Sequence, residues 1–154
     1  MLVLLVAGIS LNAQHVGSTV LRKTTGEKVT FREIVKDDWV VLVFWSTTCK
    51  PCLNELTALM AIENKWKGKI RIIAVSIDDA RSVAKVRSLV KGRKWRFEVY
   101  IDENKRLYSM YNLTSIPTAM IIDKEGKSHY LHTGYTPGDE IVLMNKALKL
   151  IKKK

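Results

Sequence analysis

The sequence predicts an α/β domain with a central mixed sheet and helices on both faces. Three observations carry this. The run Trp39-Val40-Val41-Leu42-Val43-Phe44-Trp45 is continuously apolar and rich in β-branched and aromatic residues, as a strand buried on both faces requires. Short runs of the same character alternate along the chain with longer segments of helical periodicity. The last two such runs sit close enough to pair as a hairpin before a final amphipathic segment.

Taken in order, Val20-Leu21 and Val29-Thr30-Phe31 flank Thr25-Gly26 and predict an N-terminal β-hairpin. Ser46-Thr47-Thr48 ends the central run. Pro51 is tolerated only in a first helical turn, so a helix is expected from about Cys49 to Trp66. Leu53, Leu56, Leu59, Met60 and Trp66 give it an apolar face, and Gly68 ends it. A buried strand follows over 70–77. Asp78-Asp79 suits the cap of a helix carrying Val83, Val86 and Val90. A strand over 97–101, a short helix over 103–111 and a strand over 118–122 come next. Glu125-Gly126 turns the chain into an antiparallel partner over 127–133. The final helix starts near Pro137, with Ile141, Met144, Leu148 and Ile151 on one stripe.

The chain has 154 residues, enough for one domain with a substantial core. Hydrophobic residues make up 47% and charged residues 27%, which excludes a disordered chain. Residues 1–11 carry no charge and lead into Asn12-Ala13-Gln14; this reads as a signal peptide over residues 1–13, with the folded domain over 15–154. The expected location is periplasmic, or otherwise extracytoplasmic in a bacterium. Membrane association is expected only through an uncleaved N-terminus, because the apolar run is too short to span a bilayer. The net charge is +11, yet the basic residues are spread over 65–71, 81–96 and 146–154, and no nucleic-acid motif lies among them. A nucleic-acid partner is not expected.

The two cysteines form Cys49-Lys50-Pro51-Cys52. A disulfide across one helical turn closes too short a loop to stabilise the fold much, so reactivity explains the pair better. At a helix start, Cys49 lies against amide donors and a partial positive charge that favour its thiolate, and Lys50 adds charge. Cys49 is therefore the expected attacking thiol and Cys52 the resolving thiol. A metal site is not expected. There is no second Cys-x-x-Cys, and the remaining candidate ligands, His129 and His132, sit at odd spacing on one strand. No cofactor is expected.

Phe44-Trp45, then Cys49-x-Pro51-Cys52, then Ile116-Pro117-Thr118 resemble the thioredoxin family. That resemblance implies the thioredoxin fold, with Pro117 as the cis-proline beside the cysteine pair and the backbone before it pairing with substrate. Ile116, Pro117, Trp45, Lys50 and Pro51 are the implied substrate-binding residues. The hairpin around Gly26-Glu27-Lys28-Val29, the strand Ile73-Ala74-Val75-Ser76-Ile77-Asp78 and the strand-helix insert before the cis-proline, within 79–111, are similar to the exported TlpA/ResA-like thioredoxins. The likeness implies disulfide-bearing protein substrates and a membrane thiol reductase as electron donor. It also implies a proton-handling role for Glu55, one turn beyond Cys52. Typical family members carry a buried Asp two residues before the Trp; here Val43 stands there, which strengthens the case for Glu55. Typical members also place Trp before the first Cys, where this chain has Thr48.

The expected activity is thiol–disulfide exchange by Cys49 and Cys52, in the reducing direction. Two other functions fit parts of the sequence. A peroxiredoxin-like peroxidase is related in fold, but Ser46 stands where its Thr would be. A copper-binding thioredoxin-fold chaperone would use the two thiols as soft ligands.

Overall fold

The computed structural model describes residues 16–36 and 38–152. The expected signal peptide lies outside them. Seven strands form one mixed sheet: β1 (Val20–Lys23), β2 (Lys28–Thr30), β3 (Val40–Trp45), β4 (Arg71–Ser76), β5 (Glu98–Ile101), β6 (Thr118–Ile122) and β7 (Ser128–Thr133). Their order across the sheet is β2-β1-β5-β4-β3-β6-β7. β3 runs parallel to β4 and antiparallel to β6, so the apolar run is the central strand, and all six of its residues are buried.

Alternation along β3 sends side chains to two cores. Val41, Val43 and Trp45 join Cys52, Leu56 and Leu59 of α2 (Lys50–Ala61), Trp66 of α3 (Glu63–Trp66), Val86 of α4 (Val83–Gly92), and Leu143, Met144 and Ala147 of α6 (Asp139–Ile151). Val40, Leu42 and Phe44 join Ile34 of α1 (Phe31–Val35) and Leu107 of α5 (Arg106–Met110) on the other face. The fold is thus the predicted α/β architecture.

Three details depart from expectation. Phe31 belongs to a helix, not to the hairpin strand. Thr30 and Glu33 form a capping box in which each side chain takes the other's backbone N–H. The helix expected over 49–66 breaks at Ile62 into α2 and α3. The Leu59 carbonyl, which in a continuous helix would accept the Glu63 N–H, accepts the buried Trp66 indole N–H at 2.7 Å. Finally, Asp79 caps a single 3-10 turn (Ala80–Ser82) ahead of α4, and Asp78 does something else altogether.

Candidate active site

The register brings three chain segments to one edge of the sheet. Trp45 at the end of β3 pairs with Ser76 at the end of β4, and Phe44 pairs with Thr118 at the start of β6. The loop to Cys49, the loop starting at Asp78 and the Ile116-Pro117 peptide all leave from this edge.

Cys49 is the N-cap of α2, with Pro51 in the first turn, and no acidic residue lies in that turn to offset the helix dipole. The Cys52 N–H donates to the Cys49 sulfur at 3.3 Å. The two sulfurs are joined in a disulfide. Cys49 is half-buried and Lys50 and Pro51 are exposed, whereas Cys52 is fully buried. The accessible sulfur is therefore the one at the helix start, with the inaccessible one directly behind it.

The approach to Cys49 is held by a residue that the sequence did not single out for this role. Asp78 accepts the Thr47 N–H and the Thr47 hydroxyl, each at 2.9 Å, and the Ser76 hydroxyl at 2.6 Å. The Cys49 N–H in turn donates to the Ser46 carbonyl at 3.2 Å. The signal that could have pointed to Asp78 is its place at the carboxyl end of β4, beside the end of β3.

The Ile116–Pro117 peptide is cis. The Pro117 carbonyl accepts the Gly134 N–H at 2.8 Å, while the Ile116 backbone makes no hydrogen bond among the described residues. Ile116 is half-buried and touches both cores. An extended chain laid along this edge would find the Ile116 donor and acceptor free.

Trp45, grouped on sequence with the substrate-binding residues, has no solvent-exposed surface; its ring stands edge-on to Trp95 at 5.2 Å. It supports the site from below, because the odd-numbered face of β3 points into the core that holds Cys52. Val43 lies in the same core.

Glu55 is 1% exposed, and its Oε2 has no hydrogen-bond partner among the described residues. Burial pushes its carboxyl up to about 8, helped by the nearby charges of Asp139 and Glu140 at the start of α6. Those two acids are themselves held: Asp139 by the His132 ring at 3.1 Å and Glu140 by the Tyr135 hydroxyl at 3.0 Å. His129 contacts a different carboxylate, Asp123, at 2.6 Å. The two histidines thus engage separate partners rather than converging on the cysteines.

The sheet order, the cysteine pair at a helix start and the cis-proline define a thioredoxin-fold protein with a Cys-x-x-Cys disulfide. The chain belongs to the AhpC/TSA family, whose profile matches residues 13–130. It is 32% identical over 115 residues to thioredoxin-like protein YneN of Bacillus subtilis, covering 74% of this chain and 66% of that protein. It is 33% identical over 109 residues to thiol-disulfide oxidoreductase ResA of Bacillus cereus, covering 70% of this chain and 61% of that protein. The matched region thus spans roughly three-fifths to two-thirds of these relatives. Among solved structures, an uncharacterized thioredoxin-like protein from Porphyromonas gingivalis superposes with a TM-score of 0.72 at 34% identity, covering 88% of this chain and 91% of that one. A putative thiol:disulfide interchange protein DsbE from Chlorobium tepidum also gives 0.72, at 25% identity, covering 84% and 90%.

Proposed function

We propose that the protein is a thiol–disulfide oxidoreductase that reduces disulfides in protein substrates outside the bacterial cytoplasm. The observation that carries this is the placement of the two sulfurs: Cys49 accessible at a helix start, Cys52 buried behind it. In the reduced protein the Cys49 thiolate attacks one substrate sulfur. The substrate S–S bond breaks, one substrate thiolate leaves, and a mixed disulfide forms on Cys49. The Cys52 thiolate then attacks the Cys49 sulfur and releases the second substrate thiolate. Two electrons pass to the substrate, and the protein is left with the Cys49–Cys52 disulfide. Glu55 accepts the Cys52 proton before that second attack, for which a carboxyl near 8 is well matched. Ile116 and Pro117 align the substrate backbone, and Lys50 and Pro51 form the exposed surface beside the nucleophile.

The names of the ResA and DsbE relatives support exchange over the peroxidase and copper-carrier readings. The reducing direction, a membrane thiol reductase as the donor that restores the dithiol, and an export segment over residues 1–13 belong to the same proposal. No helix among the described residues is long and apolar enough to cross a membrane.

The test is insulin reduction with dithiothreitol as donor, alongside peroxide consumption. Rapid insulin reduction with slow peroxide turnover is expected, and the reverse overturns the proposal. A potential near or below about −270 mV fits a reductant, whereas one near −120 mV reverses the direction. N-terminal sequencing of the exported protein is expected to start at Gln14.

A further inference from the structure

Between Ala80 and Phe97 the chain carries seven basic residues (Arg81, Lys85, Arg87, Lys91, Arg93, Lys94 and Arg96) and no acidic one. The fold places this run beside the catalytic helix and fixes it at both ends. Its start follows Asp78, which holds the loop before Cys49 through Thr47. Its end returns to the flank of α2, where Arg93 donates to the Thr57 hydroxyl at 3.1 Å and the Arg96 N–H reaches the Met60 sulfur at 3.4 Å. Thr57 is eight residues beyond Cys49, about 12 Å along a helix axis. Between these ends α4 buries Val86 in the same core as Cys52 and turns Lys85, Arg87 and Lys91 outward.

Among the described residues, ion pairs form only at the two ends of the run: Arg81 with Asp79, and Arg96 with Glu63. Lys85, Arg87, Lys91, Arg93 and Lys94 have no acidic partner among the described residues. All five are exposed. Asp139 and Glu140 stand in the first turn of α6, which packs into the same core. The flank of α2 that meets α4 thus carries a group of exposed cations without acidic partners.

We infer that the α4 face is a docking surface for acidic protein segments, and that it selects disulfide substrates with acidic residues on the side that meets α4. This rests on the thiol–disulfide exchange reading and adds the substrate class. Several unpaired cations facing one partner raise the encounter rate and make it salt-dependent, with effects of roughly 10- to 1,000-fold at low ionic strength.

The test uses two disulfide-bonded peptides identical except for a flanking Glu-rich or Lys-rich stretch, with neutral hydroxyethyl disulfide as reference substrate. The expected result is a kcat/KM about tenfold or more higher for the Glu-rich peptide at 0.05 M salt, shrinking toward equality at 0.5 M. K85E/K91E is expected to abolish the preference and leave the hydroxyethyl disulfide rate unchanged; K85R/K91R is expected to retain it. Equal rates for the two peptides with the wild-type protein overturn the inference. So does a preference that survives K85E/K91E or is indifferent to salt. Wild-type protein that lacks the preference but sediments with phosphatidylglycerol vesicles and not with phosphatidylcholine ones would make α4 a membrane face instead. Failure to exchange with any disulfide, hydroxyethyl disulfide included, overturns the proposed function itself, whereas exchange without preference overturns the docking surface alone. If the double variant does not fold, the wild-type peptide ratio and its salt dependence decide the matter.

Discussion

Thr47 and Asp78 are 31 positions apart, and the Asp78 carboxylate takes both the backbone N–H and the hydroxyl of Thr47. This pair ties the loop that presents Cys49 to the end of the neighbouring strand. Thr47 is buried, so removing the acceptor strands its donors away from water. Asp78→Ala is expected to cost about 1–3 kcal/mol, read as a fall of roughly 2–12 °C in Tm. Exchange is expected to slow several-fold as the Ser46–Cys49 turn loosens. Asp78→Asn keeps one acceptor and is expected to fall between the two. Unchanged Tm and rate in Asp78→Ala would show that the loop holds itself.

The unequal exposure of the two sulfurs gives the second prediction. With Cys52→Ser, attack by Cys49 has no second step, so a mixed disulfide with substrate is expected to accumulate. With Cys49→Ser, the buried Cys52 is expected to trap almost nothing. Non-reducing gels and intact mass after incubation with oxidised insulin separate these outcomes. Equal trapping by both variants would mean that Cys52 becomes accessible once reduced.

Much of the fold was legible because its signals are local. β3 is apolar on every residue, and Pro51 and Gly68 mark the two ends of a helical region. The cysteine motif and Ile116-Pro117 point to the helix-start disulfide and the cis peptide that the structure contains. What was not legible depends on contacts between distant segments. Thr47–Asp78 arises only when β3 and β4 lie in register. Glu55 is buried because α6 packs against α2, and nothing in its own helix distinguishes it from an exposed glutamate. The break at Ile62 was hidden for the same reason, since it depends on a tryptophan indole competing for a backbone carbonyl. Thr30 and Glu33 have the S/T-x-x-E spacing of a capping box, whereas Val29-Thr30-Phe31 has the composition of a strand, and the two signals overlap at Thr30.

The Trp66 indole gives a third prediction. It satisfies the Leu59 carbonyl at the α2–α3 break while its ring fills the core. Trp66→Phe keeps an aromatic ring but leaves that carbonyl without its donor. A loss of about 1–3 kcal/mol in urea unfolding is expected, with exchange kinetics unchanged because the break lies at the far end of α2 from Cys49. A change in kcat/KM comparable to that of Asp78→Ala would mean that the break positions the cysteines.

The proton-handling role proposed for Glu55 ties stability to chemistry. Its carboxyl rises from an ordinary 4.5 to about 8 in the folded protein, first through burial and then through Asp139 and Glu140. The folded chain therefore holds this proton more tightly than the unfolded chain does. Below about pH 4.5 the group is neutral in both states and costs nothing. Between about 4.5 and 8 the unfolded state gains by ionising, so stability falls as pH rises, and the full penalty is present above 8. Glu55→Gln removes the ionisation and nearly preserves the shape. It is expected to match the wild type near pH 4 and to exceed it by roughly 1–3 kcal/mol near pH 9, a discounted share of the full shift. Exchange should move the other way. Without a proton acceptor for Cys52, resolution of the mixed disulfide is expected to slow about tenfold or more, and the limb of the pH–rate profile near 8 should disappear. Urea unfolding at the two pH values and stopped-flow exchange across the range read the two effects separately. A stabilised variant with an unaltered pH–rate profile would leave Glu55 as a buried acid that the fold tolerates, and the Cys52 proton would have to leave by another path. A slowed variant with no pH-dependent gain in stability would mean that Glu55 does not carry its raised value in the oxidised protein.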